Sequence, residues 1–378
     1  MENAFFVRTF SCECNSCRVC FVFLNVISSP KGGGAELLVR ELQKAYLDKN
    51  IECASIYLSG DISEVADPKE VLSENPRKIS NIFKLRKKIK LLQNSSCRNL
   101  IIHAHLTWPF FYVVLATIGL RDIRLVYTEH NTTNKRRHIP LFWFIERFVY
   151  RRYSKVICIS DGVYGSLKKW VGPKISERLI MIPNGSRIYQ PCQRQPVNGR
   201  KAKLVSIGSL TAKKNLATAI KAVSFLRDQI ESYEIIGEGP ERAQLEKLIH
   251  QEHLHDLVHL VGWSDQIEDY LAKADIQLIP SLWEGFGLVA VEGMSTGLPV
   301  VASNVDGLRE VLGSQNPAVT LVRDIEDPEA WAQAIKLSIE NLNTHGPEHL
   351  ALASRRQAEK FTLDAMADRY LEVYRSLL

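Results

Sequence analysis

The sequence predicts an α/β protein built from two doubly wound parallel sheets in tandem. Three observations carry this. At 378 residues the chain fits two domains, since a domain usually takes roughly 100–200. Apolar runs of strand length recur, each ending in polar residues and leading toward a helix-period segment. That alternation stops near residue 187 in a stretch rich in Pro, Gln and Arg, then restarts at 201.

The elements follow in order. "RVCFVFLNVIS" is a continuous apolar run, as a strand buried on both faces should be. "SPKGGGAE" is the loop after it, and "ELLVRELQKAYLDKN" has helical period. "IECASIYL", "NLIIHAHL", "IRLVYTEH" and "SKVICIS" read as further strands. "RIYQPCQRQPVNGRKAK" has no period and reads as a linker. Beyond it, "KLVSIGSL", "ESYEIIGEG", "LVHLVGW", "ADIQLIPS" and "LPVVAS" are strands, with helical segments such as "NLATAIKAVSFLRD" and "ERAQLEKLIHQ" between them. "PEAWAQAIKLSIENL" and "TLDAMADRYLEVYRSL" are helical. In open sheets of this kind ligands bind beyond the carboxyl ends of the strands. Two such domains are expected to face each other across a cleft.

Composition narrows the class. Hydrophobic residues make up 46% and charged residues 24%, ordinary for a soluble globular protein. A net charge of +6 weakly favours anionic partners such as phosphates, nucleotides or acidic lipid surfaces. No apolar run reaches the roughly 18 residues of a spanning helix. The N-terminus lacks the basic start and apolar core of a secretory signal, so a reduced, cytoplasmic protein is expected. Cys12, Cys14, Cys17 and Cys20 crowd together, but their spacing is tighter than paired zinc knuckles use. Residues before Arg18 are read as an extension.

The stretch "EGFGLVAVE" sets Glu284 and Glu292 eight positions apart after a strand. If it is mostly helical, the two carboxylates stand on the order of 12 Å apart. Glycosidase acid/base pairs need about 5–9.5 Å, so joint chemistry is disfavoured. The spacing suits a clamp on a nucleotide sugar, with Phe286, Gly287 and Leu288 offering N–H groups to the diphosphate at a helix N-terminus. Alone, the stretch fits as well a capped helix with two solvated glutamates. "GSLTAKKN" puts Lys213 and Lys214 at a helix start, where they oppose the helix dipole and suggest a bound anion; surface lysines are the other reading. "KGGGAE" places glycines where backbone can approach a phosphate. "HAHLTW" and "TEHNTT" bring His103, His105 and His130 to strand ends, as donors, bases or structural residues. With no D-x-D, a carboxylate-held metal has no evident seat.

"GGAE", "GSLTAKKN", "GEGP" and "SLWEGFGLVAVEGMSTGLPVVAS" in this order resemble the retaining glycosyltransferases of family 4, which have the two-domain GT-B architecture with an E-x7-E motif. The resemblance runs from about residue 18 to the end. It implies that Glu292 accepts ribose hydroxyls, that Glu284 contacts the transferred sugar, and that Phe286, Gly287 and Leu288 present N–H groups. It further implies that Gly208, Ser209 and Lys214 meet the diphosphate, that Gly33 and Gly34 close over it, and that His130 stands beside the donor sugar. Ser209 occupies a position that is often arginine in the family, so one charge partner is missing. The implied layout is a first domain over 1–186, a linker over 187–200, a second domain over 201–355 and a helix over 356–378 returning to the first domain.

The implied reaction is metal-independent transfer from a UDP-sugar or GDP-sugar to a hydroxyl of a glycan or lipid-linked saccharide, in cell-surface polysaccharide or lipopolysaccharide synthesis. No cofactor and no nucleic acid is expected. The rivals are a nucleotide-sugar epimerase of the same architecture and a non-catalytic nucleotide-sugar binding protein. "NKRRHIPLFWFIERFVYRRYSK" and "KLRKKIK" mix cations with apolar side chains. They read either as interfacial elements on the inner face of the plasma membrane or as buried helices with basic edges.

Overall fold

The computed structural model describes residues 21–378 apart from 31–33, 52, 62, 64, 66, 68, 69, 95–98 and 133. The Cys12–Cys20 cluster and Gly33 lie outside the described residues. The chain divides into two units: residues 1–183 with 363–378, and residues 184–362.

In unit 1 the order is β1 (Phe21–Ile27), α1 (Gly34–Asp48), β2 (Cys53–Tyr57), α2 (Ser80–Asn94), β3 (Asn99–His105), α3 (Thr107–Ala116), β4 (Ile123–Glu129), α4 (Pro140–Tyr150), β5 (Lys155–Cys158), α5 (Asp161–Val171), α6 (Pro173–Ser176) and β6 (Leu179–Met181). The strands form one parallel sheet, β2-β1-β3-β4-β5-β6. Parallel strands need crossovers, and these are right-handed. The β1-to-β2 step runs one way along the sheet and the later steps run the other. Hence α1 covers one face, and α2 to α5 form a layer on the opposite face.

In unit 2 the order is β7 (Ala202–Ile207), α7 (Leu216–Ser224), β8 (Ile230–Ile236), α8 (Arg242–Gln251), β9 (Val258–Gly262), α9 (Ile267–Lys273), β10 (Ile276–Ile279), α10 (Leu288–Ser295), β11 (Val300–Ser303), α11 (Asp306–Leu312), β12 (Val319–Val322), α12 (Pro328–Thr344) and α13 (Pro347–Ala358). Its sheet is also parallel, β12-β11-β10-β7-β8-β9. The strand order reverses between β7 and β10, which is where ligands bind in such sheets. Trp331, fully buried, packs with Leu204, Ile220, Ile276 and Val301 in this unit's core.

The last helix, α14 (Leu363–Arg375), belongs to unit 1. Met366, Tyr370, Leu371 and Tyr374 lie in one core with Phe23, Leu42, Ile101 and Val126. They cover the sheet beside α1. The returning segment therefore starts at Leu363, and residues 356–362 finish unit 2. Residues 187–200 carry no helix or strand, yet they belong to unit 2. There buried Arg194 donates to the carbonyls of Leu271, Ala274 and Thr296. The edge strands β6 and β12 are additions to the sequence reading.

Candidate functional site

In unit 2 two strand-end loops meet at the reversal point. After β7 the chain passes Gly208, Ser209 and Leu210 into a 3-10 turn over Ala212–Lys214, then left-handed Asn215, then α7. Lys213 and Lys214 thus sit one turn ahead of the helix, not in its first turn. Gly208 has φ +150°, and a Cβ there would come within 3.2 Å of Lys214 Cε. After β10 the chain runs through Ser281 and Glu284 to left-handed Gly287, then α10. The Leu282 N–H donates to the Lys213 carbonyl at 2.8 Å, which ties the loops together. Gly307 at the start of α11 lets the backbone close up: a Cβ there would stand 2.3 Å from the Glu284 carbonyl oxygen.

Glu284 stands between the two lysines. Its Oε2 lies 2.8 Å from Lys214 Nζ and its Oε1 3.4 Å from Lys213 Nζ, with Ser281 Oγ 3.4 Å from Oε2. The Glu284 side chain is only 14% exposed and that of Lys214 17%. Burial pushes the Glu284 carboxyl up, but Lys214 and Lys213 outweigh it and hold it below the usual carboxylate range. Glu292, on α10, is partly buried. Burial raises its carboxyl to about 7 against the pull of Arg187. The reading of two solvated glutamates is corrected: one is ion-paired in a shielded loop, and the other is short of charge partners. Only Leu288 onward is helical, so just half of the Glu284–Glu292 interval follows helix geometry. Phe286 is buried edge-on against Phe361, which fixes the loop entering the helix. Gly287 supplies no side-chain cap, leaving the first-turn N–H groups of α10 without one.

A small cleft lined by Ser206, Gly208, Lys214, Leu278 and Ser281 opens beside the pair. Positive charge and helix N–H groups so placed can hold a diphosphate, and a free carboxylate at Glu292 can accept from hydroxyls. Arg187 and Ser281 join this site from the structure alone. Arg187 was hidden in the aperiodic segment, where no motif marks it.

Unit 1 carries the histidines, and the structure separates their jobs. His103 is fully buried, with Nδ1 2.5 Å from Tyr374 Oη and Nε2 2.7 Å from Thr128 Oγ1. Both ring nitrogens are engaged, so His103 ties β3 to β4 and α14. The His105 ring packs against it, tilted by 34° with centroids 4.0 Å apart, and places Nδ1 3.4 Å from His130 Nε2. Of the three, His130 alone retains exposure. Burial lowers all three, His130 to about 4, so each is neutral near pH 7. Beside them buried Glu129 is held by Tyr150 Oη at 3.0 Å and Arg137 at 3.4 Å, and Glu146 by Arg136 and Trp170 at 2.8 Å each. These pairs brace the segment between β4 and α4. Gly34 is exposed at the first position of α1. Among the described residues no group of three or more metal-ligating side chains is assembled, and no helix is long and apolar enough to cross a membrane.

Comparison with known proteins finds matches for both units. The family description "Glycosyltransferase Family 4" matches residues 32–187, and "Glycosyl transferases group 1" matches 192–352. The chain is 24% identical over 374 residues to the O-antigen biosynthesis glycosyltransferase WclY of Escherichia coli, covering 93% of this chain and 97% of that one. Over 120 residues it is 41% identical to the amylovoran biosynthesis glycosyltransferase AmsK of Erwinia amylovora, 29% and 30% of the two chains. Among solved structures it resembles Anabaena HepE in complex with UDP and glucose, with TM-score 0.77, 20% identity, and coverage of 94% and 99%. It also resembles the lipopolysaccharide outer core galactosyltransferase WaaB, with TM-score 0.73, 12% identity, and coverage of 95% and 100%. With a family 4 domain followed by a group 1 domain on two such sheets, the chain belongs to the GT-B glycosyltransferases.

Proposed function

We propose that this protein transfers a sugar, with retention at the anomeric carbon, from a UDP-sugar or GDP-sugar to a hydroxyl of a glycan or lipid-linked saccharide. The setting is cell-surface polysaccharide or lipopolysaccharide synthesis on the cytoplasmic side of the membrane. The observation that carries this reading is the Lys214–Glu284 pair at the strand reversal of unit 2, flanked by the α10 N-terminus. The relatives named for O-antigen and amylovoran synthesis support the setting. The UDP bound in the HepE structure supports a uridine donor.

In the proposed reaction the acceptor oxygen forms a bond to the anomeric carbon while the bond from that carbon to the diphosphate breaks. The acceptor proton passes to the leaving diphosphate. Negative charge grows on that diphosphate, and Lys214, Lys213 and the α10 N–H groups oppose it. Glu292 takes the ribose hydroxyls and Glu284 a hydroxyl of the moving sugar. His130, neutral, contributes a hydrogen bond rather than a charge. The proposed transfer needs no metal. The test is transfer from UDP- and GDP-sugars to a saccharide acceptor in the presence of EDTA. Transfer by the wild type that Glu284→Ala abolishes is expected. Undiminished transfer by that variant, or an isomerised donor in the absence of acceptor, contradicts the reading.

A further inference from the structure

The outer side of α4 is apolar and bare. Leu141, Phe144, Ile145 and Phe148 are 65%, 65%, 39% and 62% exposed. Their spacing of 0, 3, 4 and 7 puts them on one helix face. The opposite face is occupied: Glu146, Val149 and Tyr150 are buried. Large apolar side chains in one exposed stripe mark an interaction surface.

The neighbouring charge is of one sign. From 141 to 155 the sequence holds Arg147, Arg151, Arg152 and Lys155 against one acid, Glu146, which is buried and paired to Arg136. Helix α2 repeats the pattern. Leu85, Ile89 and Leu92 face inward, while Phe83 and Ile79 beside it are each 70% exposed. Between residues 79 and 94 stand Lys84, Arg86, Lys87, Lys88 and Lys90, with no acid. The right-handed crossovers set α2, α3 and α4 in one layer. Arg86 fastens α2 to the end of α3 by donating to the Ala116 and Ile118 carbonyls at 2.8 and 2.7 Å.

We propose that this layer of unit 1 docks on an anionic lipid bilayer, with Phe144 and Phe148 of α4 inserted at the interface and the flanking arginines and lysines on the headgroups. An apolar stripe rimmed by cations is what an interfacial element needs. Each surface cation adds attraction to anionic lipid. A second copy of the chain is the poorer occupant, because a two-fold contact would set cation against cation. The proposal does not depend on which donor the protein uses.

The test uses the full chain without donor, sedimented with phosphatidylcholine vesicles that contain or lack phosphatidylglycerol. Binding only to the anionic vesicles, weakening as salt rises, is expected. Phe144→Glu/Phe148→Glu and Arg151→Glu/Arg152→Glu each lower the partition by about tenfold or more, at unchanged melting temperature because all four residues are exposed. Equal binding by wild type and variants, no binding to anionic vesicles, or a concentration-dependent dimer that the phenylalanine variant abolishes would overturn the proposal.

Discussion

Lys214 Nζ lies 2.8 Å from Glu284 Oε2 although the two residues are 70 positions apart. Both side chains are mostly shielded, so each is costly to leave alone. Lys214→Met leaves Glu284 with Lys213 at 3.4 Å and should lower stability by roughly 1–3 kcal/mol. Combining it with Glu284→Gln should cost less than the sum of the singles. Urea unfolding of the four proteins checks this, and strict additivity would mean the pair is not coupled.

Removing only the carboxylate separates binding from transfer. Glu284→Gln frees Lys214 for a diphosphate while taking away the acceptor for the moving sugar. UDP should bind at least as tightly as to the wild type, while turnover falls on the order of a hundredfold. Equal loss of both would mean that Glu284 serves the nucleotide.

Glu292 gives a pH signature. Its folded value of about 7 lies above that of a free carboxyl, so the folded chain holds this proton more tightly than the unfolded one. The associated stability is complete below the unfolded value and is lost as pH rises through about 7. Hydroxyls donate to the ionised form, so donor affinity should rise over the same window. Titrations between pH 5.5 and about 8 should show this rise in the wild type and not in Glu292→Gln. A flat wild-type profile would remove Glu292 from the ribose site.

His105 should fix the proton on His130. His105 Nε2 is buried with no hydrogen-bond partner among the described residues, and a bare lone pair is easier to strand there than an N–H. His105 then donates from Nδ1 to His130 Nε2, leaving the His130 proton on Nδ1. Nitrogen-15 shifts of labelled histidine should report that tautomer and its loss in His105→Phe. An Nε2–H His130 in the wild type contradicts it.

Removing residues 363–378 should unfold unit 1, since Met366, Tyr370, Leu371 and Tyr374 leave its core. The milder Tyr374→Phe strands His103 Nδ1 and should cost about 1–3 kcal/mol. Chemical denaturation measures both, and a wild-type transition in the truncated chain would refute the assignment of α14 to this core.

These residues show what a sequence reveals. Strands such as "FVFLNVI" were legible because burial on both faces writes a continuous apolar run. β6 and β12, three and four residues at sheet edges, are too short to write a period. The positions of Glu284, Lys213 and Lys214 on strand-end loops, and of Glu292 on the helix after one, were legible because local spacing and glycines mark such loops. That Glu284 is paired was not, because its partners come from a loop 70 positions away. His103 looked like its neighbours His105 and His130 until Tyr374, 271 positions on, closed its ring. Arg187 gave no signal, since aperiodic segments hide which cation turns inward.

The most direct measurement is calorimetric titration of UDP- and GDP-sugars into the wild type and Lys214→Met at matched fold. Saturable binding of one donor by the wild type, weakened about tenfold or more in the variant, is the predicted result. Binding of equal strength in both, or no binding of any donor, would contradict a donor site at Lys214.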